Sequence, residues 1–264
     1  MKKKESLSFA VSFEELLVLL YHFKRNDMAG LDKGPLESMS DKEKNLLMAV
    51  AERALIARGF LTRSADSNIK MIDPVLALVG TCLEPEISLI VKNTPVNGLE
   101  QLYLFHAARK MRVMHSTPIT GIHQFIAVED DKAFLQALIS AMNIGELSRI
   151  SAEEGFLVFD TLETGRDIAL EKGFDAAKKI FVENTLSESL AVELAKALAA
   201  PVSNTTVSVV KSLDDSVQGF TLLRGEKSLW IISPTGSDDQ VSIKSVSSNG
   251  AAQKLKSLVT KIKV

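Results

Sequence analysis

The chain has 264 residues, of which 46% are hydrophobic and 24% charged, with 31 lysines and arginines against 33 aspartates and glutamates. This balance is ordinary for a globular protein and excludes an intrinsically disordered or collagen-like chain. The net charge of −2 gives no general electrostatic attraction to nucleic acid or to an anionic membrane. The single cysteine, Cys82, excludes an intrachain disulfide and a cysteine-based zinc cage.

The sequence shows neither a secretion signal nor a membrane span. Its lysine-rich start resembles a signal peptide, but Glu14 and Glu15 interrupt the apolar stretch that follows. A spanning helix needs about 20 mainly apolar residues. The longest stretch without Asp, Glu, Lys or Arg runs from Val113 to Val128 and contains several polar residues. We therefore expect a cytoplasmic protein without membrane insertion.

Two capping boxes mark helix starts near the beginning of the chain. Ser12 with Glu15, and Ser40 with Glu43, have the spacing at which each side chain bonds the other residue's backbone N–H. They predict helices from residue 13 and from residue 41. Gly59 stands where a glycine in the left-handed region would end the second helix.

A small hairpin and a block of strands are predicted next. Residues 60–63 and 69–72 form the hairpin, and Pro74 starts an apolar helix that ends before Pro85. Four strands then follow, at residues 88–92, 101–106, 111–115 and 123–128. A helix capped by Asp130 or Asp131 comes next and carries an apolar stripe from Phe134 to Met142.

The same order of elements is predicted a second time. Residues 151–199 are predicted to be helical, with Ser151 and Glu154 as a further capping box. Pro201 ends this helical block. Four strands and a closing helix follow, at residues 205–211, 220–224, 228–232, 240–246 and 255–262.

This internal repeat is the strongest signal in the sequence. Ser88–Lys92 resembles Val207–Lys211, and the apolar positions of Leu135–Met142 match those of Leu255–Ile262. The repeat predicts an α+β fold of two pseudo-two-fold units, each a four-stranded antiparallel sheet packed on helices. The expected division is residues 1–145 and 146–264. Two unrelated α+β domains of similar pattern remain an alternative.

No catalytic signature occurs in the chain. Nucleophile-elbow and glycine-rich phosphate motifs are absent, and Cys82 falls on an apolar helix face, which is typical of a buried cysteine. His106, His115 and His123 lie on consecutive predicted strands and could hold zinc if they converged. No carboxylate with ligand spacing is nearby, and the second block has no matching histidines. We expect no catalytic residue, cofactor or metal, with an enzyme built on these histidines as a third hypothesis.

Two segments are candidates for binding a partner. The predicted loop Asn93–Glu100 exceeds the usual 2–5 residues of a hairpin turn, and its candidate contact residues are Pro95, Val96, Asn97 and Leu99. The helix and hairpin at residues 41–72 have the order of a winged helix, which would make a DNA-binding regulator the alternative function. However, Asp41–Arg58 carries a net charge of only +1, so we do not expect nucleic acid to be a partner.

The order of elements resembles the EspG family of type VII secretion chaperones. The matching features are the strand blocks at 88–128 and 207–246, the Leu-rich helix after each, and the run Ile69–Pro74 following Arg58–Leu61. The resemblance implies a pseudo-two-fold α+β fold in which each half sets an antiparallel sheet against helices. It also implies a non-enzymatic cytoplasmic protein that holds a client, expected to be helical and secreted, before export.

Overall fold

The chain forms two compact units in a computed structural model that describes residues 7–64, 68–148, 153–211, 217–237 and 239–260. Among these residues, the first unit contains those up to Leu89, Leu102–Phe134 and Lys211. The second unit contains Ile90–Gln101, residues 135–210 and those from 217 onward. Helices and strands contribute to both, which confirms the α+β class. The division at residue 145 stays a prediction.

The first unit places helices before a set of mainly antiparallel strands. Its elements in chain order are β1 (Ser8–Ser12), α1 (Phe13–His22), α2 (Gly34–Glu37), α3 (Asp41–Ala57), β2 (Leu61–Arg63), β3 (Ile69–Met71), α4 (Asp73–Leu83), the start of β4 (Ile87–Pro95), β5 (Gln101–Ala108), β6 (Met111–Ile119) and β7 (Ile122–Ala127). The strands lie in the order β1-β7-β6-β5-β4, and β2 pairs with β3 as a separate hairpin. Helices α1, α3 and α4, the hairpin and the four long strands were predicted, whereas β1 and the short helix α2 were not.

Local capping interactions explain why α1 and α3 begin where the sequence predicts. Ser12 Oγ accepts a hydrogen bond from the backbone N–H of Glu15 at 3.2 Å, and Glu15 Oε2 accepts one from the N–H of Ser12 at 2.9 Å. Ser40 and Glu43 make the same reciprocal pair. Gly59, with φ of +74°, follows α3 in the left-handed region that glycine adopts without strain. Both capping boxes and the glycine are therefore confirmed.

The core of the first unit lies between one face of the strands and helices α1, α3 and α4. It consists of buried apolar side chains from both layers, chiefly Val11, Leu16, Leu19, Leu20, Leu55, Val75, Leu78, Val79, Val113 and Phe125. Cys82 is buried in this cluster as a small apolar side chain, as predicted.

The second unit also has a short strand, a helical block, four strands and a final helix, and its helical block contains three helices. Its elements are most of α5 (Asp131–Met142), β8 (Glu154–Val158), α6 (Phe159–Lys172), α7 (Phe174–Glu183), α8 (Glu188–Ala199), β9 (Pro201–Lys211), β10 (Val217–Gly225), β11 (Leu229–Pro234), β12 (Gln240–Ser245) and α9 (Ser248–Thr260). The strands lie in the order β4-β9-β10-β11-β12-β8. Its core joins Trp230 and Ile243 of the strands to Phe181, Leu190 and Leu194 of the helices.

The predicted helix over residues 151–199 is wrong at its beginning. Glu154–Val158 forms strand β8, which pairs antiparallel with β12, and Ser151 lies outside the described residues. Gly155 and Leu157 are buried while their neighbours are exposed, which is the two-residue period of a strand. A Cβ on Gly155 would lie 2.3 Å from a methyl carbon of Leu186, so the strand approaches the helices closely only because this residue is glycine.

The two units share one connectivity. In each, a short strand leads directly into the helical block and pairs antiparallel with the last of the four following strands, β1 with β7 and β8 with β12. In each, a helix follows that last strand. This agreement is what a duplicated unit requires, and the common origin of the two blocks stays a prediction.

The helices are short. The longest in the described part of the chain is α3, with 17 residues, whereas a membrane span needs about 20 mainly apolar ones. Across the described ranges, no helix combines the length and the apolar character that crossing a membrane requires.

Two helical glycines differ in the space around them, and this difference gives a stability prediction. A Cβ on Gly165 of α6 would lie 2.2 Å from the ring of Phe181, which is fully buried and cannot swing aside. A Cβ on Gly80 of α4 would meet nothing closer than 3.7 Å. Gly165→Ala should lower the free energy of unfolding by about 1–3 kcal/mol through overpacking.

Gly80→Ala is the matched control and should raise the free energy of unfolding by about 0.5–1 kcal/mol, because alanine is the better helix former. Urea unfolding of the two variants and the parent chain measures both changes. Equal midpoints for Gly165→Ala and the parent would show that the packing around α6 is looser than described.

Candidate functional site

The loop predicted to bind a partner is shorter than its sequence indicates. β4 continues to Pro95 and β5 begins at Gln101, so the connection has five residues rather than eight. Asn93 is a buried strand residue whose Oδ1 accepts a hydrogen bond from Thr205 Oγ1 at 3.2 Å. The expectation of an unusually long loop is therefore wrong, since five residues are within the normal range for a hairpin.

The four candidate residues of this loop nevertheless differ in what they offer a partner. Val96 and Leu99 present apolar side chains to solvent, with 56% and 89% of their surface exposed. Asn97 is exposed between them, and Pro95 is half-buried at the end of β4. We call Val96 and Leu99 the β4–β5 tip.

Backbone and charge contacts hold the β4–β5 tip in place within the second unit. The N–H of Val96 donates to the carbonyl of Val202 at 3.1 Å. Lys92 and Glu100, which flank the loop, form an ion pair with 2.9 Å between Nζ and Oε2. Because these contacts restrain the β4–β5 tip, it loses little conformational entropy on binding, which favours the affinity of a contact made there.

The helix and hairpin at residues 41–72 do not present the basic face that DNA binding requires. Arg58 and Arg63 are each paired with a carboxylate, of Glu15 and Glu52 respectively. Part of the exposed surface of α3 is apolar, since Leu46 and Val50 lie on it. The structure therefore does not favour a winged-helix regulator.

An open apolar groove lies between α3 and β1 in the first unit. It has a volume of about 720 Å³. The groove is lined by apolar residues of α3, of the segment before it and of strands β1 and β7, namely Ala10, Val11, Met39, Leu46, Leu47, Val50, Ala51, Ala54 and Ile122, and by Ser12, Glu14, Glu15, Glu43 and Arg58. We call it the α3 groove.

The sequence alone does not reveal this groove, because an apolar helix residue can face the core or a second surface. Ala51 and Leu55 are buried, whereas Leu46 and Val50 are 64% and 52% exposed. The spacing of Leu46, Val50 and Ala54 defines a second apolar stripe beside the buried one. A helix that is apolar on more than one side needs a second covering surface, and this is the signal that could have revealed the groove.

The three histidines lie on the same side of their strands and are buried. In the strand register, His115 of β6 stands opposite Leu104 and Phe125, and His123 of β7 stands opposite Val11. His115 Nε2 lies 3.0 Å from His123 Nδ1, and the ring of His115 stacks on that of Phe125 with centroids 4.6 Å apart. His106 of β5 bonds through Nδ1 to Ser88 Oγ at 2.9 Å.

These histidines are held in their neutral form. Burial lowers the pKa of His106 to about 4 and lowers the pKa of His123, while burial and the neighbouring imidazoles lower the pKa of His115 well below its usual value. Among the described residues, no carboxylate hydrogen bonds to any of the three rings. The described part of the chain also brings no group of three or more His, Cys, Asp or Glu into a geometry for a metal ion.

Cys82 is equally unsuited to chemistry. Burial raises the pKa of its thiol, and the reactive form of a cysteine is the thiolate. The three histidines and Cys82 therefore act as buried packing groups, and the hypothesis of an enzyme built on the histidines has no supporting geometry among the described residues.

Comparisons with known proteins find a likeness in structure and none in sequence. No family model matches the chain, and no curated protein matches it. Among solved structures, the type VII secretion system chaperone EspG5 of Mycobacterium tuberculosis, determined in complex with the PE25–PPE41 dimer, is similar with a TM-score of 0.67 and 11% identity. The match covers 97% of each chain. The fold resemblance to EspG chaperones that the sequence suggested is thereby confirmed.

The buried histidines give a prediction for pH dependence. Because their pKa values are lower in the folded protein, the unfolded chain binds more protons as the pH falls below about 6.5. Stability should therefore fall from pH 7 to pH 5, and His106 alone should contribute a loss of about 2 kcal/mol. Urea unfolding at several pH values in this window measures the slope.

His115→Leu removes one of these groups and should make the slope shallower, whatever it does to stability at pH 7. The window above pH 5 keeps most carboxylates ionised, so the change in slope reports on histidine. A stability of the parent chain that stays level between pH 7 and pH 5 would contradict the neutral burial of the three rings.

Proposed function

We propose that this protein is a non-enzymatic cytoplasmic binding protein that holds a client before export, in the manner of a secretion chaperone. The observation that carries the proposal is the likeness of nearly the whole chain to EspG5, a chaperone whose structure was determined with a protein dimer bound. Apolar side chains exposed at the β4–β5 tip and in the α3 groove support it, because such surfaces commonly mark interaction sites.

The chemistry of the described residues suits binding better than catalysis. The buried histidines are neutral, and among the described residues no carboxylate hydrogen bonds to them. The thiol of Cys82 is buried. Holding a client needs none of these groups. It needs apolar anchors that exclude water, with polar neighbours that set the orientation of the partner.

We propose that the client is a helical protein secreted by the same cell, and that Pro95, Val96, Asn97 and Leu99 contribute to its binding surface. Val96 and Leu99 would be the anchors, since they are the exposed apolar side chains of the loop. Pro95 and the ion pair of Lys92 with Glu100 would keep the tip in its bound form. A DNA-binding role is the alternative. It is disfavoured because Arg58 and Arg63 are paired with Glu15 and Glu52 and so are less available to DNA phosphates.

The test begins with the small secreted helical proteins encoded beside this protein's gene. Each is co-expressed with the chain, and complex formation is followed by size-exclusion chromatography with light scattering. We expect one client or client pair to form a stable stoichiometric complex and to remain in solution only in the presence of this chain. Failure of every such protein to bind would contradict the chaperone proposal.

The double variant Val96→Asp, Leu99→Asp should weaken client binding at least about tenfold, because it places two charges on the apolar contact. Leu76→Asp is the matched control. Leu76 is also an exposed leucine, and an aspartate in the first turn of α4 suits the helix dipole. We expect the control to bind as the parent does, with both proteins folded by circular dichroism. Equal affinity of the double variant and the control would move the binding surface away from the β4–β5 tip.

A further inference from the structure

The α3 groove is apolar because α3 has two apolar sides and its own unit covers only one of them. Ala51 and Leu55 face the core, whereas Leu46 and Val50 point away from it and line the groove. Leu46, Val50 and Ala54 recur every four residues, so they form one ridge along the helix. A ridge of this kind is complementary to a second helix packed beside it.

The strand on the other side of the groove cannot easily accept an extended peptide. The N–H of Ala127 donates to the carbonyl of Leu7, and the N–H of Phe13 donates to the carbonyl of Gly121. In an antiparallel pair this pattern alternates, so the backbone N–H and C=O groups of the odd-numbered residues of β1 point toward β7. The even-numbered residues therefore face outward, toward the groove. The outward carbonyl of Ala10 already accepts a hydrogen bond from Arg58 at 2.6 Å.

The outward N–H of Ser12 is also taken, since it donates to Glu15 Oε2. An added strand would need both of these backbone groups. A helix needs neither, because its backbone hydrogen bonds are internal and it offers only side chains. The contacts of Arg58 and Glu15 thus select a helical occupant over an extended one.

The charges around the groove indicate which kind of helix it fits. Arg58 is neutralised by Glu15, with 2.5 Å between Nη1 and Oε2. Glu14 and Glu43 pair with no cation among the described residues, and hydrogen bonds from Ser40 lower the pKa of Glu43 and keep it ionised. The rim is therefore negative beside an apolar wall, which complements a helix that carries lysine or arginine next to its apolar face.

We propose that the α3 groove binds an amphipathic helix of a client protein. Its apolar side chains at positions i, i+3, i+4 and i+7 pack on Leu46, Leu47 and Val50, and a lysine or arginine lies beside Glu14 and Glu43. This inference rests on the proposed function and names a second binding surface for it, in the first unit of the chain.

The test uses two synthetic peptides of about 18 residues, since shorter helices are marginal in water. Both carry leucine at positions i, i+3, i+4 and i+7 on one face, and they differ only in having lysine or glutamate beside that face. Fluorescence anisotropy of labelled peptides measures binding to the full chain at low and high salt. We expect the lysine peptide to bind about tenfold tighter than the glutamate peptide at low salt, with a smaller difference at high salt.

Variants of the groove assign the site. Leu46→Asp with Val50→Asp should weaken the lysine peptide at least about tenfold, and Leu46→Ala with Val50→Ala should weaken it less while disturbing the helix less. Glu14→Gln with Glu43→Gln should remove the preference for the lysine peptide. Glutamine at position 43 keeps the capping box, so α3 should start at the same residue. Leu76→Asp is again the control and should bind both peptides as the parent chain does.

Equal binding of the two peptides, or unchanged binding by Leu46→Asp, Val50→Asp, would overturn the inference. A parent chain that is a dimer and becomes a monomer in that variant would overturn it too, because a second copy would then occupy the groove. These outcomes need no client, so they are independent of the proposed function. A client that binds the chain but is insensitive to all groove variants would leave the chaperone proposal intact and exclude the groove alone.

Discussion

The ion pair of Glu15 and Arg58 is the contact on which the arrangement of the first unit depends. Glu15 is 5% exposed, and one oxygen of its carboxylate accepts hydrogen bonds from both Arg58 and the N–H of Ser12. Arg58 in turn reaches the carbonyl of Ala10 and lies 4.6 Å from the centre of the Phe60 ring. One residue pair therefore joins β1, the first turn of α1 and the end of α3. Removing Arg58 would leave the buried carboxylate of Glu15 without its cation, and removing Glu15 would leave the N–H of Ser12 without its acceptor, at a cost of about 1–3 kcal/mol.

The second unit reaches the same connectivity by different chemistry. There β8 takes the place of β1 beside the last strand, and no capping box links it to the helix that follows, because Val158 precedes α6. Close approach replaces the ion pair, since Gly155 lets the strand lie against Leu186 and Leu190. The two units therefore share a connectivity without sharing the contacts that produce it, and the duplication that the sequence repeat suggests stays a prediction.

What the sequence could predict follows from the range of the interactions involved. The capping boxes at Ser12 and Ser40, and the turn at Gly59, act over three or four residues and were read correctly. Strands β1 and β8 are five residues long and exist only because a distant strand, β7 or β12, pairs with them. For β8, acidic residues resembling a helix start concealed the two-residue period. Pairing between strands that are more than 80 residues apart in the sequence cannot be recognised from the pattern of a short segment.

The candidate surfaces were less predictable for the same reason. Val96 and Leu99 could be proposed because neither fits a core period, although the loop that holds them is shorter than its composition indicated. Leu46 and Val50 could not be separated from Ala51 and Leu55, because composition shows that a helix is apolar but not which side its unit covers. The burial of the histidines could not be predicted either, because a single residue on a strand does not show which face it occupies. Stacking and hydrogen bonding with one another satisfy part of their polarity inside the unit.

The contacts of Glu15 and Arg58, which bring β1 and α3 together, also protect the exposed apolar groove beside β1 from unspecific pairing with other strands. An edge strand with free backbone groups is a template for any other strand, and an apolar groove beside it would increase that hazard. Here Arg58 occupies the outward carbonyl of Ala10 and Glu15 the outward N–H of Ser12, so an added strand would lack two backbone partners beside a rim that is negative. A surface of this kind discriminates by shape and charge, because it rejects extended chains and acidic helices while leaving a basic amphipathic helix free to bind and dissociate.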